Sequence, residues 1–240
     1  LSGIMLKMGL YSVIRWQLPI APLAAKTYMP ILLGLSIAGV IYGSIVALRQ
    51  KDLKKLLAYS SLAHVGLIAA GCYTLTLDGL NGAVYQMIAH GFVIVGLFFA
   101  AEIINRRFEK RKISEMGGIR SQASKFTSMF MILVLASVAL PGTYNFVGEF
   151  TVLYSLSQVN YWFAILGGTT IILGAYYMLK MFQNVMLGET NTKVFTDVTV
   201  NEAITLVLII GFLLFFGLYP KPITDLVTPA IKEILIYINR

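Results

Sequence analysis

Residues 125–159 read KFTSMFMILVLASVALPGTYNFVGEFTVLYSLSQV, and Glu149 is the one charge between Lys125 and Val159. A run this long would measure about 50 Å as one helix at about 1.5 Å per residue. That exceeds the roughly 30 Å hydrocarbon core of a bilayer, which takes about 20 apolar residues to cross. In its middle stands Pro141-Gly142-Thr143-Tyr144-Asn145. Proline removes a backbone donor and clashes with the preceding turn, and glycine permits the bend. The stretch is therefore either one broken transmembrane helix or two short spans joined by a tight turn.

The rest of the chain follows the same pattern. It is 58% hydrophobic and 12% charged over 240 residues, against about 45–50% and about 25% in soluble domains. That leaves too little polar surface to cover a water-soluble globule. Further membrane spans are predicted at Leu1–Trp16, Tyr28–Leu48, Lys54–Leu75, Gly79–Asn105, Tyr161–Leu187 and Asn201–Tyr219. Lys221–Arg240 places Ile223, Leu226, Val227, Ala230, Ile231, Ile234, Leu235 and Ile238 at helical spacing, with Pro222, Thr224, Asp225, Lys232, Glu233 and Asn239 on much of the other side. This is the pattern of an amphipathic helix lying along a membrane interface. The expected fold is an all-α polytopic bundle of about seven spans, one of them discontinuous. It divides into a transmembrane domain at 1–220 and an amphipathic helix at 221–240.

Net charge is +8, but no basic face interleaved with aromatics suggests nucleic acid. The basic residues gather between apolar runs. With 125–159 crossing once, one side carries 13 Lys and Arg, in the Arg49–Lys55, Arg106–Lys125 and Lys180–Lys193 gaps, against 5 on the other. With two crossings the balance is 14 to 4, so the positive-inside bias is strong both ways and does not discriminate. Length does: two crossings would leave roughly 15 residues each, below the usual 17–25. One discontinuous helix is favoured, and such breaks are tolerated where protein or a water-lined cavity satisfies the freed backbone. The single cysteine, Cys72, excludes an internal disulfide framework and any multi-cysteine metal site. The chain opens on Leu1 directly within an apolar run, without a charged leader, so a fragment or processed chain is expected.

Four ionisable residues fall within spans, where each costs roughly 2.5–3.5 kcal/mol on insertion scales. Lys7 has no other charge until Arg15; a snorkelling lysine is the plain alternative. His64 and His90 fall near the centres of their helices, with Ser60 and Gln86 one turn before them. A neutral histidine bonded to a neighbouring helix is ordinary, but two at mid-membrane suit a proton relay, because imidazole titrates near neutrality. Glu149 has no basic partner within a turn. Lys54 and Lys55 read as interface anchors, Glu102 as facing the basic loop Arg106–Lys112, and Asp78 as a turn residue. No H-E-x-x-H zinc helix, glycine-rich phosphate loop or Ser-His-Asp spacing is present; two histidines could alternatively ligate a haem.

The stretches IMLKMG (Ile4–Gly9), QKDLKKLLAYSSLAH (Gln50–His64), GAVYQMIAHG (Gly82–Gly91), Met116–Gly118, LPGTYNFVGEF (Leu140–Phe150) and GLYPKPITD (Gly217–Asp225) resemble the C-terminal half of subunit M (chain 4 in mitochondria), one of the antiporter-like membrane subunits of respiratory complex I, the NADH:quinone oxidoreductase. The resemblance implies a fourteen-helix fold of which this chain supplies the eighth to fourteenth helices. It implies that Lys7 is central in a proton channel, that His64 and His90 connect it, and that Glu149 is the terminal acid on the discontinuous twelfth helix. The related subunits L and N carry lysine where Glu149 stands. Mrp-type sodium/proton antiporter subunits share the fold and are the alternative. The family's glutamate on the fifth helix and lysine on the seventh lie upstream of Leu1, so the expected activity is the output half of a proton channel, driven by quinone reduction elsewhere. The resemblance further implies no cofactor in this chain, neighbouring antiporter-like subunits as partners, and a place in the bacterial inner membrane or its mitochondrial equivalent.

Overall fold

The computed structural model describes residues 2–188 and 194–238. Leu1, Lys193, Asn239 and Arg240, used in the sequence reading above, lie outside them. The described residues are helical throughout, apart from short connections: α1 (Met5–Ser12), α2 (Leu18–Ile20), α3 (Pro22–Leu48), α4 (Leu53–Tyr73), α5 (Leu77–Phe108), α6 (Ile119–Gln122), α7 (Ser124–Ser137), α8 (Tyr144–Val159), α9 (Tyr161–Phe182), α10 (Val200–Leu218) and α11 (Lys221–Ile238). Wider π-type turns join α1 to α2 and extend α9 to Leu187. Among the described residues, α3, α4, α5, α9 with its extension, and α10 are long and apolar enough to cross a membrane.

The expected helix at 125–159 is two helices in series, and their register on α5 decides between one crossing and two. Going up α5, the backbone at Gly79, Gly82 and Gln86 meets Ser155, Val152 and Gly148 of α8, and Gly96 then meets Leu133 of α7. Both pieces therefore run antiparallel along one helix, in order, as a single discontinuous crossing. The break occupies Val138–Thr143, starting three residues before Pro141. A proline ring clashes with the carbonyl four residues earlier, which here is Ser137. Ala139 (φ 55°) and Gly142 (φ 94°) take left-handed backbone.

Two expectations are corrected near the ends. The helix predicted from Tyr28 begins at Pro22, and the gap expected after Trp16 shrinks to a break at Ala21 (φ −129°, ψ 58°). Pro22 stands at the first helical position, where its missing N–H costs nothing. Asp78 is in the first turn of α5, not in a free turn, behind the cap that Thr76 Oγ1 makes to the Gly79 amide (3.0 Å); a carboxylate there is favoured by the helix dipole.

One end of the bundle gathers the basic connections. Leu53 N donates to Arg111 O (3.1 Å) and Ile113 N to Lys51 O (2.9 Å), tying the α3–α4 and α5–α6 connections together. Asp197, before α10, accepts from the amides of Lys125 (3.2 Å) and Phe126 (3.0 Å) at the start of α7, and Arg107 pairs with Glu202 at 2.6 Å. The Lys54 ammonium lies 2.5 Å from Glu102 Oε2. Glu102 is thus held by Lys54 of the helix beside it, with Arg106 and Arg111 of the following basic loop near enough to act on its charge, and Lys54, read as an anchor, is also an ion-pair partner; antiparallel α4 and α5 bring the two to one level.

Beneath this end lies an aromatic and aliphatic core, in which Phe126, Phe130 and Phe182 stack in succession with centroids 6.0 Å apart. At the other end α11 lays Ile231, Ile234 and Ile238 on Leu10, Ile14 and Leu18 and on the facing residues of α4 and α5. Its amphipathic pattern holds, with its buried face on protein.

Candidate functional site

The centre of the bundle, where α4, α5 and α8 meet, holds both buried histidines and the buried carboxyl group. α3 and α4 approach closely enough for a Cβ at Gly43 to fall 2.8 Å from the Ala63 amide, the small-residue packing that brings membrane helices together. On α8, a Cβ at Gly148 would fall 2.6 Å from Gln86 Oε1 and 2.7 Å from its amide. That contact lets Glu149, the next residue, reach between the other two helices.

Three of the four predicted residues come together there. His64 Nδ1 lies 3.0 Å from Glu149 Oε1, with the two side chains 4% and 1% exposed. The His64 and His90 rings stand 4.9 Å apart, centroid to centroid, tilted by 37°. Gln86 Nε2 donates to the same Glu149 oxygen (2.9 Å), and Ser61 Oγ and His90 Nε2 are 2.9 Å apart. Tyr177 of α9 donates to Ser60 Oγ (2.9 Å), one turn before His64. The result is a row of neighbouring polar side chains: Ser61, His90, His64, Glu149, Gln86. Of these, the two imidazoles and the carboxyl group can each take up and release a proton.

Lys7 stands apart from this row. It is buried (8% exposed) and its ammonium donates to the Ser2 carbonyl. Its side chain lines an apolar cavity of about 970 Å³ between α1, α5 and α11, beside Met87 and Gly91. These residues occupy the α5 face next to the one that presents Gln86 and His90. Lys7 and the histidines are therefore neighbours across one helix, without a hydrogen bond between them among the described residues.

Sequence reading missed several members. Tyr177 looked like one more aromatic in an apolar helix. Ser61 was overlooked beside Ser60. Gln86 was noted for its spacing to His90, but its carboxylate partner is 63 positions away. Among the described residues no group of three or more His, Cys, Asp or Glu is arranged to hold a metal ion.

Fold and site together define a polytopic helical membrane protein whose core joins two histidines to a carboxyl group. The chain belongs to the Proton_antipo_M family, NADH:quinone oxidoreductase/Mrp antiporter, TM, which matches residues 1–174. It is 37% identical over 238 residues to NADH-quinone oxidoreductase subunit M of Rhodobacter capsulatus, covering 98% of this chain and 46% of the relative. It is 35% identical to subunit M of Mycobacterium tuberculosis, covering all of this chain and 44% of the relative. Its structure resembles a chain of respiratory complex I from Thermus thermophilus with bound NADH, with a TM-score of 0.93 and 31% identity over 97% of this chain and 50% of that one. A chain of the Mrp complex from Dietzia sp. DQ12-45-1b shares the fold at a TM-score of 0.88 and 17% identity, covering 99% of this chain and 53% of that one. The chain spans about half the length of the curated relatives it matches.

Proposed function

We propose that this chain carries protons through the membrane part of an NADH:quinone oxidoreductase, as the output half of a channel driven by quinone reduction in other subunits. The observation that carries the reading is the 3.0 Å contact between His64 and Glu149, both sealed from solvent. An ionisable pair at membrane depth is expensive, and a structural contact would be met more cheaply by apolar side chains. In this reading Lys7 holds a proton reversibly, His90 and His64 pass it on, and Glu149 exchanges it with the outer face. The redox chemistry belongs to partner subunits, beside which this chain sits as a multi-pass component of a bacterial inner membrane or its mitochondrial equivalent.

The test is proton translocation per electron in the reconstituted complex at matched assembly. Glu149→Gln and Lys7→Met are each expected to lower it with the complex intact. If both pump like the parent, the channel assignment falls. The shared fold of the Mrp chain favours a second reading, sodium/proton exchange. That reading requires translocation that depends on sodium and persists without quinone turnover.

A further inference from the structure

The histidine–glutamate row leaves a set of polar atoms unused. Asn145, on the first turn of α8, is completely buried. Among the described residues neither its Oδ1 nor its Nδ2 has a hydrogen-bond partner, and the same holds for His90 Nδ1, Glu149 Oε2 and Gln86 Oε1. A buried polar atom left unpaired costs about 1–3 kcal/mol. Buried amides are therefore nearly always satisfied, by protein or by ordered water.

The helix registers put these atoms at one level. α8 meets α5 in the pairs Gly79 with Ser155, Gly82 with Val152 and Gln86 with Gly148. One further turn brings His90 opposite Tyr144, the neighbour of Asn145. α8 meets α4 at Gly71 with Val152 and at Thr74 with Ser155, whose hydroxyls are 3.0 Å apart; two turns back, His64 lies opposite Asn145. Asn145 also shares its helical face with Gly148, Glu149 and Val152, at spacings of three, four and seven. Those are the residues that α8 turns towards α4 and α5.

Resting on the proton-transfer reading above, we infer that Asn145 is a positioning residue that binds water between His90 Nδ1 and Glu149 Oε2, a connection that acts together with the direct His64–Glu149 contact rather than in its place. A buried water needs two to four polar partners, and Asn145 offers both a donor and an acceptor. In the transfer the Nδ1–H bond of the His90 imidazolium breaks and its proton joins the water oxygen. The water's other proton passes to the Glu149 carboxylate. His90 is left neutral, Glu149 a neutral acid and the water unchanged; nothing is oxidised or reduced.

The test compares Asn145→Ala with Asn145→Ser in the assembled complex, two side chains of similar size that differ by a hydroxyl able to hold water. Asn145→Ala should lower the rate of proton translocation about tenfold, the rate equivalent of one lost hydrogen bond. It should also shift the infrared carbonyl band of Glu149, identified as the band missing in Glu149→Gln. Asn145→Ser should keep most of the rate and leave the band in place. If the alanine variant does not assemble, Asn145→Val against Asn145→Thr repeats the comparison with matched shapes. Equal rates and an unmoved band in both members of a pair, with Glu149→Gln inactive, overturn the role of Asn145 alone. A Glu149→Gln complex that pumps normally overturns the function beneath it.

Discussion

The two halves of the broken helix are built from the same kinds of residue and do opposite things. α7 buries Thr127 and Ser137, yet each hydroxyl is satisfied within its own turn, on Ala123 O (2.9 Å) and Val134 O (2.7 Å). Phe126, Phe130, Leu133 and Val134 then make an apolar surface towards α5, α9 and α10. α8 buries an amide and a carboxyl, Asn145 and Glu149, which cannot be satisfied that way and must reach to α4 and α5. A hydroxyl can hide in a helix by bonding back to the preceding turn; a carboxyl commits its helix to polar neighbours. The break at Val138–Thr143 therefore divides a half that only packs from a half that also carries the buried ionisable group.

Substitutions on either side of the break should separate these roles. The largest effect on transfer is expected from His64→Leu, which removes the ring against Glu149: proton translocation should fall by at least about a hundredfold, the scale of lost acid–base catalysis, with the complex still assembled. Initial pumping rates at matched complex content check this. The largest effect on stability is expected from Phe130→Ala in the packing half, at about 3–5 kcal/mol. Thermal inactivation of the complex should come earlier, while translocation per assembled complex stays unchanged. Gly148→Ala should do some of both. Its Cβ must displace Gln86, costing about 1–3 kcal/mol, and should slow transfer by disturbing the Gln86–Glu149 bond, which the same two measurements read together. Lys54→Met, which breaks a half-exposed ion pair at the basic end, should cost less than about 1 kcal/mol and leave both readouts nearly unmoved. A pumping defect in Phe130→Ala as deep as that in His64→Leu would abolish the division between the halves.

Much of this was legible in the chain. Apolar runs of bilayer length predicted the helices, and the ends Leu187 and Leu48 agree with the structure. Pro141 predicted the break, because the clash of its ring is local. Lys7, His64, His90 and Glu149 stood out because each is costly in lipid wherever its partners lie, and the quoted motifs placed the chain in the family that the relatives confirm. Pairings between distant positions were not legible. Glu102 was assigned to the nearest basic loop, but its hydrogen-bonded partner Lys54, 48 positions away, was not foreseen; Tyr177 and Ser60 are 117 apart.

Composition and periodicity by themselves determined that this is a membrane-spanning helical chain with buried ionisable groups. They act through the cost of each residue in lipid, which needs no knowledge of neighbours. Span length already favoured a single crossing at residues 125–159, and which of the buried groups touch was decided only by packing. Charge bias fits both crossings, and the register of α7 and α8 along α5 fits the one that length favoured. That register sets His64, His90 and Glu149 in one row and leaves Lys7 on the neighbouring face of α5.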